Sequence, residues 1–292
     1  MDRGRKYTLI TGASLGIGKS IVYECAKRGM NLILVALPGN ALEILTETVR
    51  IKYNIDAVSM PIDLTEDNAP ARLYQWCKEH DYQINVLINN AGIGAGGLFE
   101  NVNFNQYLTM LKLNNQALVG ITYYFIPELK KHPQSYILNT SSMEGIIPLP
   151  YKSVYTASKN FIYAFSLAIR EELKPYKVSV SVLCPGPVVT NKDGLSRIRA
   201  HGIRAKLITM LPGQIAKIAI KKMLRGKGII VPGFFNLHIT RILKLIPILT
   251  RMRLLEKMFR VYKDMTPAPQ HPGKDSSFVT DSPPVQKVTT NL

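Results

Sequence analysis

The sequence predicts an α/β fold in which helices cover both faces of a parallel sheet, a doubly wound arrangement. Strand-like runs alternate with helix-length amphipathic segments, and most of the runs are β-branched and almost continuously apolar. Strands buried on both faces show such runs, and strand–helix alternation is typical of parallel sheets with helical crossovers. The third observation is a cluster of glycines directly after the first run.

The predicted elements follow one another in a regular order through residues 1–232. The strands cover residues 7–11, 31–36, 57–62, 85–89, 135–141, 178–184 and 228–232. The helices cover residues 16–29, 40–53, 66–80, 105–131, 155–174 and 212–225. A chain of 292 residues fits one large domain or two small ones, and the unbroken alternation favours a single domain.

Composition narrows the class of protein. Cys25, Cys77 and Cys184 are odd in number and far apart, so the sequence predicts no disulfide framework and no metal site. This cysteine usage favours a reducing compartment. The chain opens directly on a strand pattern and contains no run of about 18 uncharged apolar residues. We therefore expect a cytoplasmic protein with neither a signal peptide nor a transmembrane span.

The formal charge of +17 is concentrated in the C-terminal third of the chain. Residues 197–263 contain 16 Lys and Arg but a single acid, Glu256. Such an excess implies an anionic surface or ligand. The segment carries no zinc, RNP or helix-turn-helix signature, so we expect no nucleic-acid partner.

Residues 233–265 are predicted to form a basic amphipathic helical extension interrupted at Pro247, and residues 266–292 a disordered tail rich in Pro, Ser and Thr. The extension suits an anionic membrane surface at the inner face of a membrane, a partner subunit, or packing on its own domain. If the extension binds a membrane, the residues expected to enter the membrane interface are Leu249, Met252, Leu255, Met258 and Phe259.

The glycine cluster lies where a phosphate-binding loop is expected. The sequence TGASLGIG runs from Thr11 to Gly18, after the first strand and directly before a helix. Glycines allow a tight turn and a close approach of the backbone to a ligand. The free N–H groups and positive dipole of the following helix suit a pyrophosphate.

At this point the chain resembles the short-chain dehydrogenases/reductases. TGASLGIG is similar to the family's cofactor loop and NNAG (89–92) to its central-strand motif. LNNQA, SSMEG, YTASK and PGPVVT follow in the family's order, and the resemblance covers roughly residues 5–232. It implies a Rossmann-type sheet of about seven strands that binds NAD(P), a mobile lid over residues 187–212, and a homodimer or homotetramer assembled through helices 105–131 and 155–174.

The resemblance also implies four catalytic residues. Tyr155 would exchange a proton with the substrate oxygen, and Ser142 would orient that oxygen. Lys159, one helical turn from Tyr155, would lower the pKa of the phenol from its usual value of about 10 and hold the nicotinamide ribose. Asn114 would anchor a water that links Lys159 to solvent; its neighbour Asn115 is the alternative for that position.

The same resemblance implies a set of cofactor-binding residues. They are Gly12, Ser14, Leu15, Gly16, Ile17, Gly18, Leu37, Asn40, Asp63, Leu64, Asn90, Ala91, Gly92, Tyr155, Lys159, Pro185, Gly186, Val188 and Thr190. At the end of the second strand, an acid would select NAD and an arginine NADP. Leu37 is neither. The absence of the acid mildly favours NADP, whose phosphate Asn40 could bind, and NAD stays open.

We expect an NAD(P)-dependent oxidoreductase that interconverts a carbonyl and a secondary alcohol. Its apolar, basic C-terminal region favours a hydrophobic ketone as substrate, such as a 3-oxoacyl lipid, a 3-ketosphingoid base or a steroid-like compound. A reductase of small polar carbonyls or sugars is one alternative. A cofactor-sensing protein without catalysis is another, although the intact Ser142, Tyr155 and Lys159 argue against it.

Overall fold

The computed structural model describes residues 5–188 and 208–263. The sheet contains seven parallel strands in the order β3-β2-β1-β4-β5-β6-β7. The strands are β1 (Lys6–Thr11), β2 (Asn31–Ala36), β3 (Ala57–Pro61), β4 (Gln83–Asn89), β5 (Ser135–Thr140), β6 (Val178–Leu183) and β7 (Ile229–Ile230). The predicted doubly wound parallel sheet is therefore confirmed. The last strand is shorter than predicted, with two residues instead of five.

Ten α-helices accompany the strands within the described residues. They are α1 (Gly16–Ala26), α2 (Asn40–Tyr53), α3 (Ala69–Glu79), α4 (Phe104–Leu111), α5 (Leu118–Leu129), α6 (Met143–Ile146), α7 (Ser153–Leu173), α8 (Pro212–Met223), α9 (Phe234–Leu245) and α10 (Ile248–Phe259). The sequence pattern did not predict the short helix α6, because a helical period becomes visible only over more than one turn.

Two apolar layers hold the sheet between its helices. On one face, α1, α2 and α8 pack against the sheet through buried side chains such as Ile21, Leu45 and Ile220. On the other face, α3, α5 and α7 bury Leu73, Phe125 and others. Strands β1 to β6 therefore contribute side chains to both layers, which accounts for the continuous apolar runs in the sequence.

The predicted helix 105–131 is not one regular helix. α4 ends at Leu111, a π-helical segment follows from Lys112 to Ala117, and α5 begins at Leu118. Side-chain periodicity is nearly the same on both sides of a π-helical turn, so the sequence pattern cannot show the change. Such segments are frequent at functional sites, and this one carries Asn114.

The C-terminal extension consists of two helices, α9 and α10, separated at Ile246 and Pro247. Leu255 of α10 is only 2% exposed and packs with Ile147 and Leu149. The prediction that Leu255 enters a membrane interface is therefore wrong, because the domain itself buries that side chain. Of the other four predicted residues, Met252 and Phe259 are half-buried, whereas Leu249 and Met258 are exposed.

Within residues 5–188 and 208–263, every helix is too short or too polar to cross a membrane. The predicted tail at 266–292 lies outside the described residues.

Candidate active site

The loop between β1 and α1 can be built only with glycine at two positions. Gly12 has a φ of +64°, and a Cβ there would lie 2.8 Å from the Cα of Ala91. A Cβ on Gly18 would lie 1.9 Å from the carbonyl oxygen of Gly12. Helix α1 begins after Leu15 without a side-chain cap, so its first N–H groups are left for a ligand. The loop therefore fits the pyrophosphate of a dinucleotide.

Residues after β4 hold this loop in place. The Thr11 hydroxyl accepts from the backbone N–H groups of Asn90 (3.0 Å) and Ala91 (3.1 Å). In return, the Asn90 side-chain amide donates to the carbonyl oxygens of Thr11 (3.2 Å) and Gly12 (3.3 Å). The predicted residues of the glycine loop (11–18) and of the NNAG motif (89–92) are thus brought together where β1 and β4 meet. In such sheets the strand order reverses at this point, and ligands bind there.

The residues predicted to contact the adenosine half of the cofactor lie at the carboxyl ends of β2 and β3. Leu37 and Asn40 are exposed, as is Leu15 in the glycine loop. The Asp63 carboxylate accepts from the backbone N–H (2.9 Å) and the hydroxyl (2.7 Å) of Thr65. Asp63 therefore shapes its own turn, and its contact with adenine stays a prediction. Ser14 and Ile17 are half-buried and Leu64 is buried.

After β6, the predicted loop lies beside both α6 and α9. The Pro185 carbonyl accepts from the backbone N–H of Met143 at 2.9 Å. A Cβ on Gly186 would lie 2.7 Å from the side-chain nitrogen of Asn236 on α9. Val188 pairs with Met210 across an isolated bridge. The predicted residue Thr190, and residues 189–207 of the lid predicted over 187–212, lie outside the described residues.

Lys159 is the buried cation of the site. It is 5% exposed, and its ammonium donates to the carbonyl oxygen of Thr140 at 3.0 Å. A Cβ on Gly92 would lie 3.1 Å from the Lys159 Nζ and 3.0 Å from the Asn114 Oδ1. Gly92, Asn114 and Lys159 are therefore packed together. Burial lowers the pKa of Lys159 to about 8.

The Asn114 side chain is fully buried, and hydrogen bonds hold it on two sides. Its oxygen accepts from the backbone N–H of Ile93 (2.9 Å), and its nitrogen donates to the Ile93 carbonyl and the Ser158 hydroxyl, both at 3.0 Å. Asn115 instead donates to the Ser158 carbonyl at 2.9 Å. Of the two asparagines, Asn114 is the one placed against Lys159.

Tyr155 lies in the first turn of α7, with its ring against Gly94. Its ring centroid is 5.9 Å from the Lys159 Nζ, and the Ser142 side chain lies near its hydroxyl. Ser142 also caps α6 by accepting from the backbone N–H of Glu144 at 3.1 Å. The structure thus gathers Ser142, Tyr155, Lys159 and Asn114 at one place beside the dinucleotide loop.

One predicted property of the site is wrong. The sequence predicts that Lys159 lowers the pKa of Tyr155, but burial raises the pKa of this phenol, and the Glu144 carboxylate raises it further. The Ser142 hydrogen bond acts in the opposite direction and does not outweigh them. The ammonium of Lys159 is directed to Thr140 instead of to the phenol oxygen. Tyr155 is therefore protonated at neutral pH in the structure.

Sequence reasoning missed a charged group beside Tyr155. The Lys152 Nζ lies 2.9 Å from Glu144 Oε1 and 5.9 Å from the Tyr155 ring centroid. The neighbouring Tyr151 donates to Glu256 on α10 at 2.6 Å. The only signal for Glu144 was its position two residues after Ser142. Elsewhere, no group of three metal-binding side chains occurs in the described part of the chain.

Comparison with known proteins agrees with this geometry. The family model for short chain dehydrogenases matches residues 6–198. The Arabidopsis thaliana protein 11-beta-hydroxysteroid dehydrogenase-like 3 is 36% identical over 225 residues. The match covers 77% of this chain and 71% of that protein. A very-long-chain 3-oxoacyl-CoA reductase of Vanderwaltozyma polyspora is 33% identical over 210 residues, covering 68% of this chain and 59% of the reductase.

Among solved structures, a short-chain dehydrogenase of Sphingobium yanoikuyae in complex with NADPH superimposes with a TM-score of 0.69. It is 27% identical in sequence, and the match covers 78% of this chain and 88% of that one. The fold, the order of the motifs and the family model all agree. The chain therefore belongs to the short chain dehydrogenase family, whose members are oxidoreductases that act on alcohol and carbonyl groups with NAD(P).

Proposed function

We propose that the protein reduces a hydrophobic ketone to a secondary alcohol with NADPH. The observation that carries this proposal is the cluster of Ser142, Tyr155 and Lys159 beside the glycine loop, with Tyr155 half-buried and its pKa raised, so that the phenol carries its proton. A protonated phenol is the form that gives a proton to a carbonyl oxygen. The bound nicotinamide dinucleotide supplies the hydride.

Each catalytic side chain has a role that its contacts support. Ser142, whose side chain lies near the Tyr155 hydroxyl, orients the substrate oxygen at that hydroxyl. Tyr155 donates the proton as the carbonyl oxygen gains charge. Lys159 contributes positive charge next to the nicotinamide ribose, and Asn114 fixes the chain at Ile93 so that Gly92 stays against Lys159.

The preference for NADPH rests on the end of β2. Leu37 is exposed there and Leu15 is exposed in the glycine loop, so neither an acid nor a base faces the ribose from these two positions. An acid at this place would repel a 2′-phosphate. The structural relative from Sphingobium binds NADPH, and NADH is the second candidate.

The preference for a hydrophobic ketone rests on the C-terminal helices and on the relatives. Helices α9 and α10 present several exposed apolar side chains, and α10 is fixed to the loop before Tyr155 through Glu256 and Tyr151. The relatives are named for hydroxysteroids and 3-oxoacyl-CoA. A long-chain 3-oxoacyl thioester and a steroid ketone are therefore the first substrates to test, against a small sugar ketone.

Replacing Tyr155 with Phe is expected to lower kcat for ketone reduction by about 10²- to 10⁴-fold, the usual contribution of a general acid. The ring keeps its contact with Gly94, so the fold and cofactor affinity should be preserved. NADPH oxidation in the presence of each ketone measures the rate, and Tyr53→Phe on α2 serves as the control. Near-normal turnover of Tyr155→Phe would remove Tyr155 from the chemistry.

The exposed face of α10 favours peripheral binding to an anionic membrane at its cytoplasmic side. Leu249 is 72% exposed, and Arg253 and Lys257, four and eight residues later, are exposed on the same side of the helix. Each basic residue near an anionic leaflet contributes about 1 kcal/mol. A lipid-like ketone would then be delivered close to Tyr151 and the site.

Full-length protein should float with vesicles of phosphatidylserine and phosphatidylcholine at low salt and be released at high salt. Leu249→Glu should weaken this binding on the order of tenfold, since an apolar contact is replaced by a charge that the anionic surface repels. The matched control is Ile51→Glu on α2, where the side chain is 71% exposed. Equal loss in both variants, or no binding of the wild type, would contradict membrane docking.

A second exposed apolar surface supports a homodimer. Leu108, Leu111, Val119 and Phe161 line a shallow groove between α4, α5 and α7, and a second copy of the chain would cover it. Sedimentation velocity at micromolar concentration should show a dimer or tetramer for the wild type and a monomer for Leu108→Glu/Leu111→Glu. A wild-type monomer would contradict this assembly.

A further inference from the structure

We propose that Asn236 on α9 is a positioning residue for the nicotinamide half of the cofactor. The proposal rests on the function given above and adds to it a residue that lies outside all the sequence motifs. Asn236 acts through the loop after β6, residues 185–188, which is held between α6 on one side and α9 on the other.

The loop at 185–188 lies beside the reacting end of the site. The Pro185 carbonyl accepts from the backbone N–H of Met143, the residue directly after Ser142. Hydride passes to the carbon whose oxygen Ser142 and Tyr155 hold, so the nicotinamide must lie against these residues. The glycine loop after β1 suits the pyrophosphate instead. The conformation of residues 185–188 therefore determines where the nicotinamide can lie.

The Asn236 side chain packs on this loop from the α9 side. A Cβ on Gly186 would lie 2.7 Å from the Asn236 Nδ2, 2.9 Å from its Cγ and 3.0 Å from its Oδ1. The flat amide therefore covers Gly186 as closely as the absence of a side chain allows. Asn236 is only 1% exposed, so it has no open space into which it could retreat.

The same amide joins two further segments of the chain. The Asn236 Nδ2 donates to the carbonyl oxygen of Ile208 at 3.0 Å and to that of Pro232 at 3.1 Å. Pro232 lies between β7 and α9, whereas Ile208 lies shortly before α8. Asn236 thus connects the end of the sheet, the start of α9 and the approach to α8.

The segment that begins at Ile208 is a second support of the loop. The backbone N–H of Met210 donates to the Pro187 carbonyl at 3.1 Å, and Met210 pairs with Val188 across the isolated bridge. Asn236 therefore holds the loop in two ways, directly at Gly186 and indirectly through Ile208.

The chemistry of the amide explains why an asparagine is needed for this connection. Two carbonyl oxygens can be joined only by an atom that donates twice, and the nitrogen of an amide does so. The Oδ1 of Asn236 is enclosed and has no hydrogen-bond partner among the described residues, which costs free energy. A residue that served only the packing of α9 would not require this oxygen. The two donated bonds do require it.

The test compares the binding of NADPH and of 2′-phospho-ADP-ribose, which lacks the nicotinamide, to wild type and Asn236→Ala by isothermal titration calorimetry. Without its support, the loop at 185–188 occupies the binding-competent conformation for a smaller fraction of the time. The Kd for NADPH should rise about tenfold if that fraction falls to about a tenth. The Kd for 2′-phospho-ADP-ribose should change less than about twofold, because its groups bind away from this loop. If the wild type prefers NADH, the pair is NADH and ADP-ribose.

Thr240→Val is the matched control on the same helix. The buried Thr240 hydroxyl donates to the Asn236 carbonyl at 2.7 Å, so this variant removes a bond of α9 and leaves the Asn236 amide in place. Both ligands should bind it as they bind the wild type. Circular dichroism checks folding. If Asn236→Ala does not fold, Asn236→Ser takes its place, because a single hydroxyl proton cannot join both carbonyls.

A double-mutant cycle tests the contact with the loop itself. Gly186→Ala should cost less NADPH affinity in the Asn236→Ala background than in the wild type, since the amide that its Cβ would meet is gone. An equal cost in both backgrounds would overturn the proposal.

Three other results would also overturn the proposal: unchanged NADPH affinity in Asn236→Ala, an equal loss for both ligands, or the same loss in Thr240→Val. The binding measurements need no ketone, so the proposed function fails separately, if the wild type reduces neither hydrophobic ketone.

Discussion

The hydrogen bond from the buried Lys159 ammonium to the Thr140 carbonyl is the constraint around which the active site is built. A lysine that is withdrawn from water is costly unless its charge is compensated. Thr140 is the last residue of β5, so its carbonyl lies at the carboxyl end of the sheet. The position of the ammonium is therefore determined by a strand in the middle of the fold and not by a surface loop.

The neighbouring elements adapt to this buried cation. The Ser141 hydroxyl donates to the Lys159 carbonyl at 2.6 Å. This bond joins the end of β5 to the second turn of α7. The π-helical segment turns Asn114 towards Ile93 and Ser158, and Gly92 leaves the space into which the ammonium and the amide fit. Because these contacts come from β5, α7, the π-helical segment and the loop after β4, the site exists only when the sheet is assembled.

Much of the fold could be predicted from the sequence because its signals are local. Apolar runs set the strands, and Gly12 and Gly18 are required by backbone contacts that tolerate no Cβ. The motif order also located Ser142, Tyr155, Lys159 and Asn114. The pKa of Tyr155 could not be predicted, because it depends on how deeply folding buries the ring and on Glu144, whose charge reaches it through space. The burial of Leu255 likewise depends on Ile147 and Leu149, more than 100 residues away in the chain.

The account is tested most directly by the titration of Lys159. Nuclear magnetic resonance of protein labelled at the lysine Cε, with Lys159→Met to assign the signal, gives its pKa in the cofactor-free protein. The structure predicts a midpoint of about 8, lowered by burial from the ordinary value of 10.5. A midpoint at the ordinary value would show that the ammonium is solvated, and it would contradict a site organised around a buried cation.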